Sequence, residues 1–180
     1  TDNMDPDTTK EFVTDIGREA ERLSRITENL LRLTRLDGGV VQAAYPVAVG
    51  PVLQRVERML GMVAEEKGVT ISGSASEDAV ALATDDDVHQ ILYNLMENAI
   101  KYSAAENGFV RAEALVRDGQ VVITVTDNGI GIPDEDLPHV FDRFYRVDKM
   151  RSREVGGTGL GLSIVKDTIE NRGGSIQAGH

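Results

Sequence analysis

The chain has 180 residues, enough for one domain and an appendage, and its 41% apolar and 27% charged residues suit a globular protein. No apolar run approaches the roughly 18 residues that cross a bilayer, and the polar start "TDNMDPDTTKEF" is unlike a signal peptide. The absence of cysteine excludes disulfides and thiolate chemistry, and a net charge of −11 argues against nucleic acid as a partner.

Residues 1–8 read as a loop. "KEFVTDIGREAERLSRITENLLRLTRLDGG" then predicts one long helix ended by Gly38-Gly39. Ile16, Leu23 and Leu30 recur every seven residues, and Ile26 and Leu33 form a second row, which makes the narrow seam of a coiled coil or four-helix bundle. One helix cannot bury such a seam. A second copy or a segment outside this sequence is the expected partner; the alternative is packing on the chain's own globular part.

From residue 40 the pattern becomes mixed. "VQAAYPVAV" (41–49) is strand-like, with Pro46 pointing to a sheet edge. "VGPVLQRVERMLGMVAEEKG" (49–68) predicts an amphipathic helix with Pro51 in its first turn. "VTISGSA" and "AVALAT" are short strands. "DDDVHQILYNLMENAIKYS" (85–103) is a helix whose three leading acids suit its N-terminal dipole, with Val88, Leu92, Leu95 and Ala99 as the expected buried stripe. "GFVRAEALVRDGQVVITVTDNG" is a hairpin turned at Asp118-Gly119. A short helix around 134–140, a basic loop, a glycine-rich turn, a helix over 158–171 and a beginning strand in "GSIQAG" complete the order. The fold class is therefore α/β (α+β): a long helix, then a two-layer sandwich with antiparallel hairpins rather than a βαβ series.

Four stretches carry chemistry. Asn94, Asn98 and Lys101 form an i, i+4, i+7 ladder on the polar side of the 85–103 helix; amide oxygens can bind Mg²⁺ or its water, and an ammonium can meet phosphate. "VVITVTDNGIGIP" (121–133) ends a period-two strand in Asp127, whose carboxylate can accept from an exocyclic amine, while Gly129 and Gly131 allow close approach of a flat ligand. "FDRFYRVDKMRSR" (141–153) sets Arg143, Arg146, Lys149, Arg151 and Arg153 against Asp142 and Asp148, a local charge of +3. Its aromatics are expected to anchor the loop while arginines reach phosphate. "GGTGLGLSIVK" (156–166) is a glycine-rich turn entering a helix, a common way to hold phosphate. Its spacing matches neither a dinucleotide fingerprint nor a P-loop.

In this order the four stretches resemble the ATP-binding catalytic domain of bacterial sensor histidine kinases, within the wider gyrase–MutL–chaperone ATPase superfamily. "NLMENAIKYS" resembles the N box, "DNGIGIP" the first glycine box, "FDRFYR" the F box and "GGTGLGLSIVK" the second glycine box. "EAERLSRITENLLRLTRLDGG" is similar to the second helix of the dimerisation and histidine-phosphotransfer hairpin. The resemblance implies a Bergerat-type fold with a mixed, mostly antiparallel sheet and about three helices. It implies a partial phosphotransfer region over 1–39 and a catalytic domain over 40–180, truncated at its last strand. Asn98 would bind Mg²⁺ with Asn94 assisting, Lys101 would contact phosphate, and Tyr102 would line the nucleotide. Asp127 would bond the adenine amine, in a pocket shaped by Gly129, Gly131 and Ile132. Residues 146–157 would be a mobile lid, with Arg143 or Arg146 turned toward the phosphates of ATP. Gly157, Thr158, Gly159, Leu160 and Gly161 would hinge the lid and cradle phosphate.

ATP-hydrolysing relatives place a glutamate four residues before the Mg²⁺ asparagine; here that place is Asn94. The resemblance thus implies transfer of the γ-phosphoryl group to a histidine, for relay to a response-regulator receiver domain, rather than hydrolysis. His89, His139 and His180 do not stand in an acceptor context, so the acceptor is expected outside this sequence. The chain reads as a cytoplasmic fragment of a membrane-anchored sensor that forms homodimers through its first helix. A non-catalytic nucleotide-binding module and an anti-sigma-type serine kinase are the alternatives; the latter lacks the helix over 9–37.

Overall fold

The computed structural model describes residues 5–39, 41–104, 106–147 and 159–180. Helix α1 (Pro6–Asp37) opens with proline in its first turn and ends at Gly38-Gly39, where Gly39 adopts φ +67°. Its length matches the heptad reading, but only Leu33 of the seam is fully buried, against Leu160 and Ile164 with Leu36 beside them. Ile16, Leu23 and Leu30 remain exposed. The chain's own globular part therefore covers the last turn of the seam and leaves the rest of it open.

After α1 come β1 (Tyr45–Ala48), α2 (Val49–Glu66), β2 (Thr70–Ala75), β3 (Val80–Ala83), α3 (Asp85–Lys101), β4 (Phe109–Arg117), β5 (Gln120–Asp127), a 3₁₀ turn (Leu137–His139) and α4 (Gly161–Asn171). β1 and β3 form an antiparallel ribbon, so Pro46 does sit on an edge. β2 runs parallel to β4, and β4 antiparallel to β5. The β4–β5 connection is the two-residue turn read from the sequence: Asp118 and Gly119 have φ +52° and +74°, and Arg117 pairs with Gln120.

The two layers meet in one apolar core. Val52, Leu53, Val56 and Leu60 of α2 and Leu92, Met96 and Ile100 of α3 pack on Val110, Ala112 and Ala114 of β4. Alternate small residues on β4 let both helices approach the sheet. Gly73 in β2 serves the same end, because a Cβ there would collide with Leu53 and Glu57 of α2. The buried stripe of α3 is Val88, Leu92, Met96, Ala99 and Ile100, and the expected Leu95 is only half-buried. The helix is covered by the sheet and α2 on one side and by α4 on another, so its apolar face is wider and rotated relative to the narrow stripe.

Thr84 and Asp87 close a reciprocal capping box at the start of α3, with bonds of 3.0 and 3.1 Å. The three leading acids also do more than meet the helix dipole. Asp85 binds Arg55 of α2 at 2.6 Å, Asp86 binds Arg32 of α1 at 2.7 Å, and Asp87 binds Arg172 after α4 at 2.7 Å. Each acid ties a different helix to α3. The predicted strand in "GSIQAG" does not form: residues 174–180 carry no ladder. Gly173, at φ +79°, and Gly174 turn the chain out of α4, and a single Ile176 among small and polar residues offers little to pack on a sheet.

Candidate nucleotide site

The site begins where β5 ends. Asp127 Oδ1 accepts the Gly129 amide at 2.8 Å, which closes a tight carboxylate turn and leaves the second oxygen of this exposed side chain available. Asn128 pins the same turn to the start of β4: its Oδ1 accepts from the Phe109 amide at 2.8 Å and its Nδ2 donates to the Asn107 carbonyl at 2.9 Å. Nothing in the motif itself marks this clamp, because its backbone partners lie 19 and 21 residues upstream. A Cβ on Gly129 would strike the Tyr102 carbonyl, which in turn accepts the Ile130 amide at 3.1 Å. So the first glycine stretch is laid directly on the C-terminal end of α3. Gly131 takes φ +74°, and Ile132 is half-buried beyond it.

Along α3, Asn94, Asn98, Lys101 and Tyr102 are all half-buried. Asn94 Nδ2 donates to the Gln90 carbonyl at 2.8 Å, which orients the amide so that Oδ1 faces the start of α4. A Cβ on Gly161 would sit 3.4 Å from that oxygen. Lys101 pairs with Glu97 at 2.9 Å. Glu97 thus supports the lysine one turn on, and Tyr93, partly buried beside it, has its phenol pushed up by burial first and by the Glu97 charge second.

The N-terminus of α4 has no side-chain cap; Ser163 Oγ instead donates back to the Leu160 carbonyl at 2.8 Å. Among the described residues no side chain caps the amides of this first turn, which lie at the positive end of the helix dipole. Leu160 is fully buried, and Gly159, at φ +74°, accepts the Phe144 amide at 2.8 Å. A Cβ on Gly159 would come within 2.9 Å of the Phe144 backbone, so glycine is required for this closure. Phe144 itself has φ +63° and an exposed ring. It does not anchor the loop as expected; Tyr145 does, through its hydroxyl bond to Asp136 and its ring against His139. That bond holds the Tyr145 phenol above its ordinary range.

The arginines divide. Arg146 is half-buried. Arg143, expected to turn toward phosphate, makes a two-pronged bond to Asp37 of α1, at 2.7 and 3.0 Å, and a further bond to Asp167 of α4 at 3.2 Å. Gly157, Thr158 and most of the expected lid lie outside the described residues. No motif linked Asp37 or Asp167 to the site in the sequence.

The residues that are described form one continuous line: Asp127 and Gly129 against Tyr102, up α3 to Asn94, across to Gly161, and back through Gly159 to Phe144 and Arg143. A fold with this placement is found in known proteins. Residues 83–180 match the family described as histidine kinase-, DNA gyrase B- and HSP90-like ATPases. The chain belongs to that family. Among its histidine-kinase relatives, the sensor histidine kinase WalK of Bacillus subtilis is 37% identical over 163 residues, 89% of this chain and 26% of WalK. The sensor-like histidine kinase SenX3 of Mycolicibacterium smegmatis is 37% identical over 175 residues, 96% of this chain and 45% of SenX3. The chain thus spans less than half the length of these relatives. The crystal structure of full-length ShkA in complex with AMPPNP superimposes with a TM-score of 0.80 at 27% identity, over 100% of this chain and 37% of ShkA. The fold is accordingly the Bergerat fold of the histidine-kinase ATPases, preceded by a long helix.

Proposed function

We propose that this chain is the kinase core of a sensor histidine kinase, which binds Mg·ATP and directs its γ-phosphoryl group to a histidine on a segment outside this sequence. The observation that carries the reading is the approach of the Asn94 amide oxygen to the uncapped start of α4, on the same helix that abuts the Asp127–Gly129 turn. It supports a reading in which an amine acceptor, oxygen donors and a phosphate-binding helix end serve one ligand. The ShkA complex with AMPPNP supports ATP as the ligand.

In this reading Asp127 accepts from the adenine amine and Gly129 admits the flat base. The first-turn amides of α4, with Gly159 and Gly161, receive phosphate oxygens, and Lys101, about two turns along α3 from Asn94, is the cation for the same phosphates. The Mg²⁺ donor set fits: Asn94 has its nitrogen tied to Gln90 and its oxygen free to ligate, and Asn98 lies one turn on. Bound there, the ion would neutralise charge on the phosphates. An imidazole nitrogen of the acceptor histidine attacks the γ-phosphorus, the bond to the β-phosphate oxygen breaks, and ADP leaves while the ring loses its proton to solvent. Hydrolysis is disfavoured because Asn94 has no basic oxygen to take a proton from water, and the Glu97 carboxylate is occupied by Lys101. Residues 1–39 belong, on this proposal, to the phosphotransfer and dimerisation region, and 40–180 to the catalytic domain. The downstream partner is a response-regulator receiver domain; a fold relative, ThkA, is known in complex with the response regulator TrrA.

The three histidines of this chain have local roles: His89 stacks on Tyr93, His139 pairs with Asp142, and His180 pairs with Asp134. Incubation with γ-labelled ATP should leave the chain itself unlabelled and should label a separately supplied acceptor helix carrying the histidine. Stable phosphohistidine on this chain, or no transfer to the acceptor despite bound nucleotide, would overturn the reading.

A further inference from the structure

Among the described residues, α1 meets the rest of the molecule through a small apolar contact flanked by ion pairs. The apolar part is Leu33 and Leu36 against Leu160 and Ile164. Around it lie two exposed ion pairs, Arg32 with Asp86 and Arg143 with Asp37. The second pair is unlike the first in where it leads. Arg143 directly precedes Phe144, whose amide closes on Gly159 at the entrance to the glycine-rich turn. The same guanidinium also holds Asp167, on the solvent side of the helix whose first turn faces Asn94. One arginine therefore touches the last turn of α1, the F-box loop and α4 at once.

We propose that Arg143 is the positioning residue through which α1 is coupled to the nucleotide site, with Asp37 and Asp167 as its two holders. The inference rests on the nucleotide site proposed above and adds a partner to it: the last-turn carboxylate of α1. The geometry favours Arg over any other cation here. Only a planar fork grips both oxygens of Asp37 while a third N–H reaches Asp167. The bonds from Arg143 hold the Asp37 carboxyl below its ordinary value of 3.8, so the pair is ionised at neutral pH. All three side chains are partly exposed, so the grip is breakable and weakens with salt.

The consequence is a linkage. While α1 is docked, two carboxylates offset the charge of Arg143 and fix the Phe144–Gly159 closure. When α1 moves away, Arg143 keeps only Asp167, and its positive charge becomes available to a polyphosphate. Nucleotide and α1 docking then oppose each other, and by reciprocity each changes the other by the same factor.

The chain lacks cysteine, so Arg18→Cys on α1 and Glu77→Cys on the catalytic part, diluted into an excess of unlabelled chain to remove distances between copies, give a clean spin-label pair. The expected result is one main distance in the parent protein, which spreads on adding Mg·AMPPNP or on raising salt. Asp37→Asn should spread it without nucleotide and tighten AMPPNP binding about fivefold; Asp37→Glu, which keeps the charge, should restore most of both values. If the parent binds AMPPNP but Asp37→Asn leaves the affinity unchanged, the coupling is wrong even where the distance shifts. An unchanged distance in Asp37→Asn overturns the docking role of the pair. Failure of the parent protein to bind AMPPNP at all would instead remove the nucleotide site and the linkage with it.

Discussion

Single residues decide how closely the backbone around the cleft can approach itself. Gly129 is the sharpest case: a methyl group there meets the Tyr102 carbonyl and lies 2.8 Å from Asp127 Oδ1. Neither neighbour can yield cheaply, because one is backbone at the end of α3 and the other is held by the Gly129 amide itself. Gly129→Ala should therefore push the turn off α3 and move the carboxylate that would recognise the base. The expected outcome is at least a tenfold loss of nucleotide affinity, about 1.4 kcal/mol, with the thermal midpoint changed little, since the turn is exposed. Gly131→Ala, with φ +74° but nothing near its Cβ, should cost less. Calorimetric titration of both variants separates the two; equal affinity for Gly129→Ala and the parent would show that this contact does not shape the pocket. Arg143 teaches a complementary point. Its residue type and its place between two aromatics made it visible in the sequence, but its direction was not, because nothing local distinguishes an arginine aimed at phosphate from one aimed at two carboxylates 106 and 24 residues away.

At the level of elements, the parts set by short-range chemistry were legible. The Asp118-Gly119 turn, the Thr84 start of α3, the proline-led start of α2 and the Gly38-Gly39 stop of α1 follow from backbone preferences that neighbours do not alter. What depended on neighbours was not. Leu95 and Met96 are interchangeable to a periodicity count, and the choice between them is made by α2 and the sheet, whose core takes in Met96. Asp85, Asp86 and Asp87 looked like a dipole signature, yet each reaches another helix. The Asp87–Arg172 pair is the least exposed of these, and Asp87 also bonds the Thr84 amide while Arg172 bonds the Gln42 carbonyl. Removing Arg172 leaves the capping carboxylate partly buried without its cation and frees the end of α4 from α3. Arg172→Ala should lower unfolding stability by about 2 kcal/mol, whereas Arg55→Ala, which empties the exposed Asp85 pair, should cost about 0.5 kcal/mol. Urea unfolding of the two variants checks the order, and an equal cost would mean that burial does not set the value of these pairs.

At the scale of the whole molecule, α1 is too long for what it covers. Its 32 residues present a heptad seam, but among the described residues the apolar cover from the catalytic part falls at its C-terminal end, on Leu33 and Leu36. Ile16 and Leu23 are 54% and 55% exposed, with Phe12 and Val13 beyond them. A lone helix with an open apolar face is marginal in water, and its stability must come from a surface that buries that face. The described residues of the catalytic part do not supply it, since Phe12, Val13, Ile16 and Leu23 all stay exposed. A second copy of the same helix has the matching repeat, and a symmetric pairing satisfies both seams at once. The expected outcome is a mass that rises from monomer toward dimer with concentration, and a helix signal that rises with it. Leu23→Glu with Ile16→Glu places two like charges at the centre of that seam and should hold the chain at monomer mass. It should leave the catalytic part and its nucleotide affinity untouched, since neither residue approaches the cleft. Light scattering across a hundredfold dilution series decides it: a parent mass that stays at monomer throughout would mean that a second copy does not cover the seam.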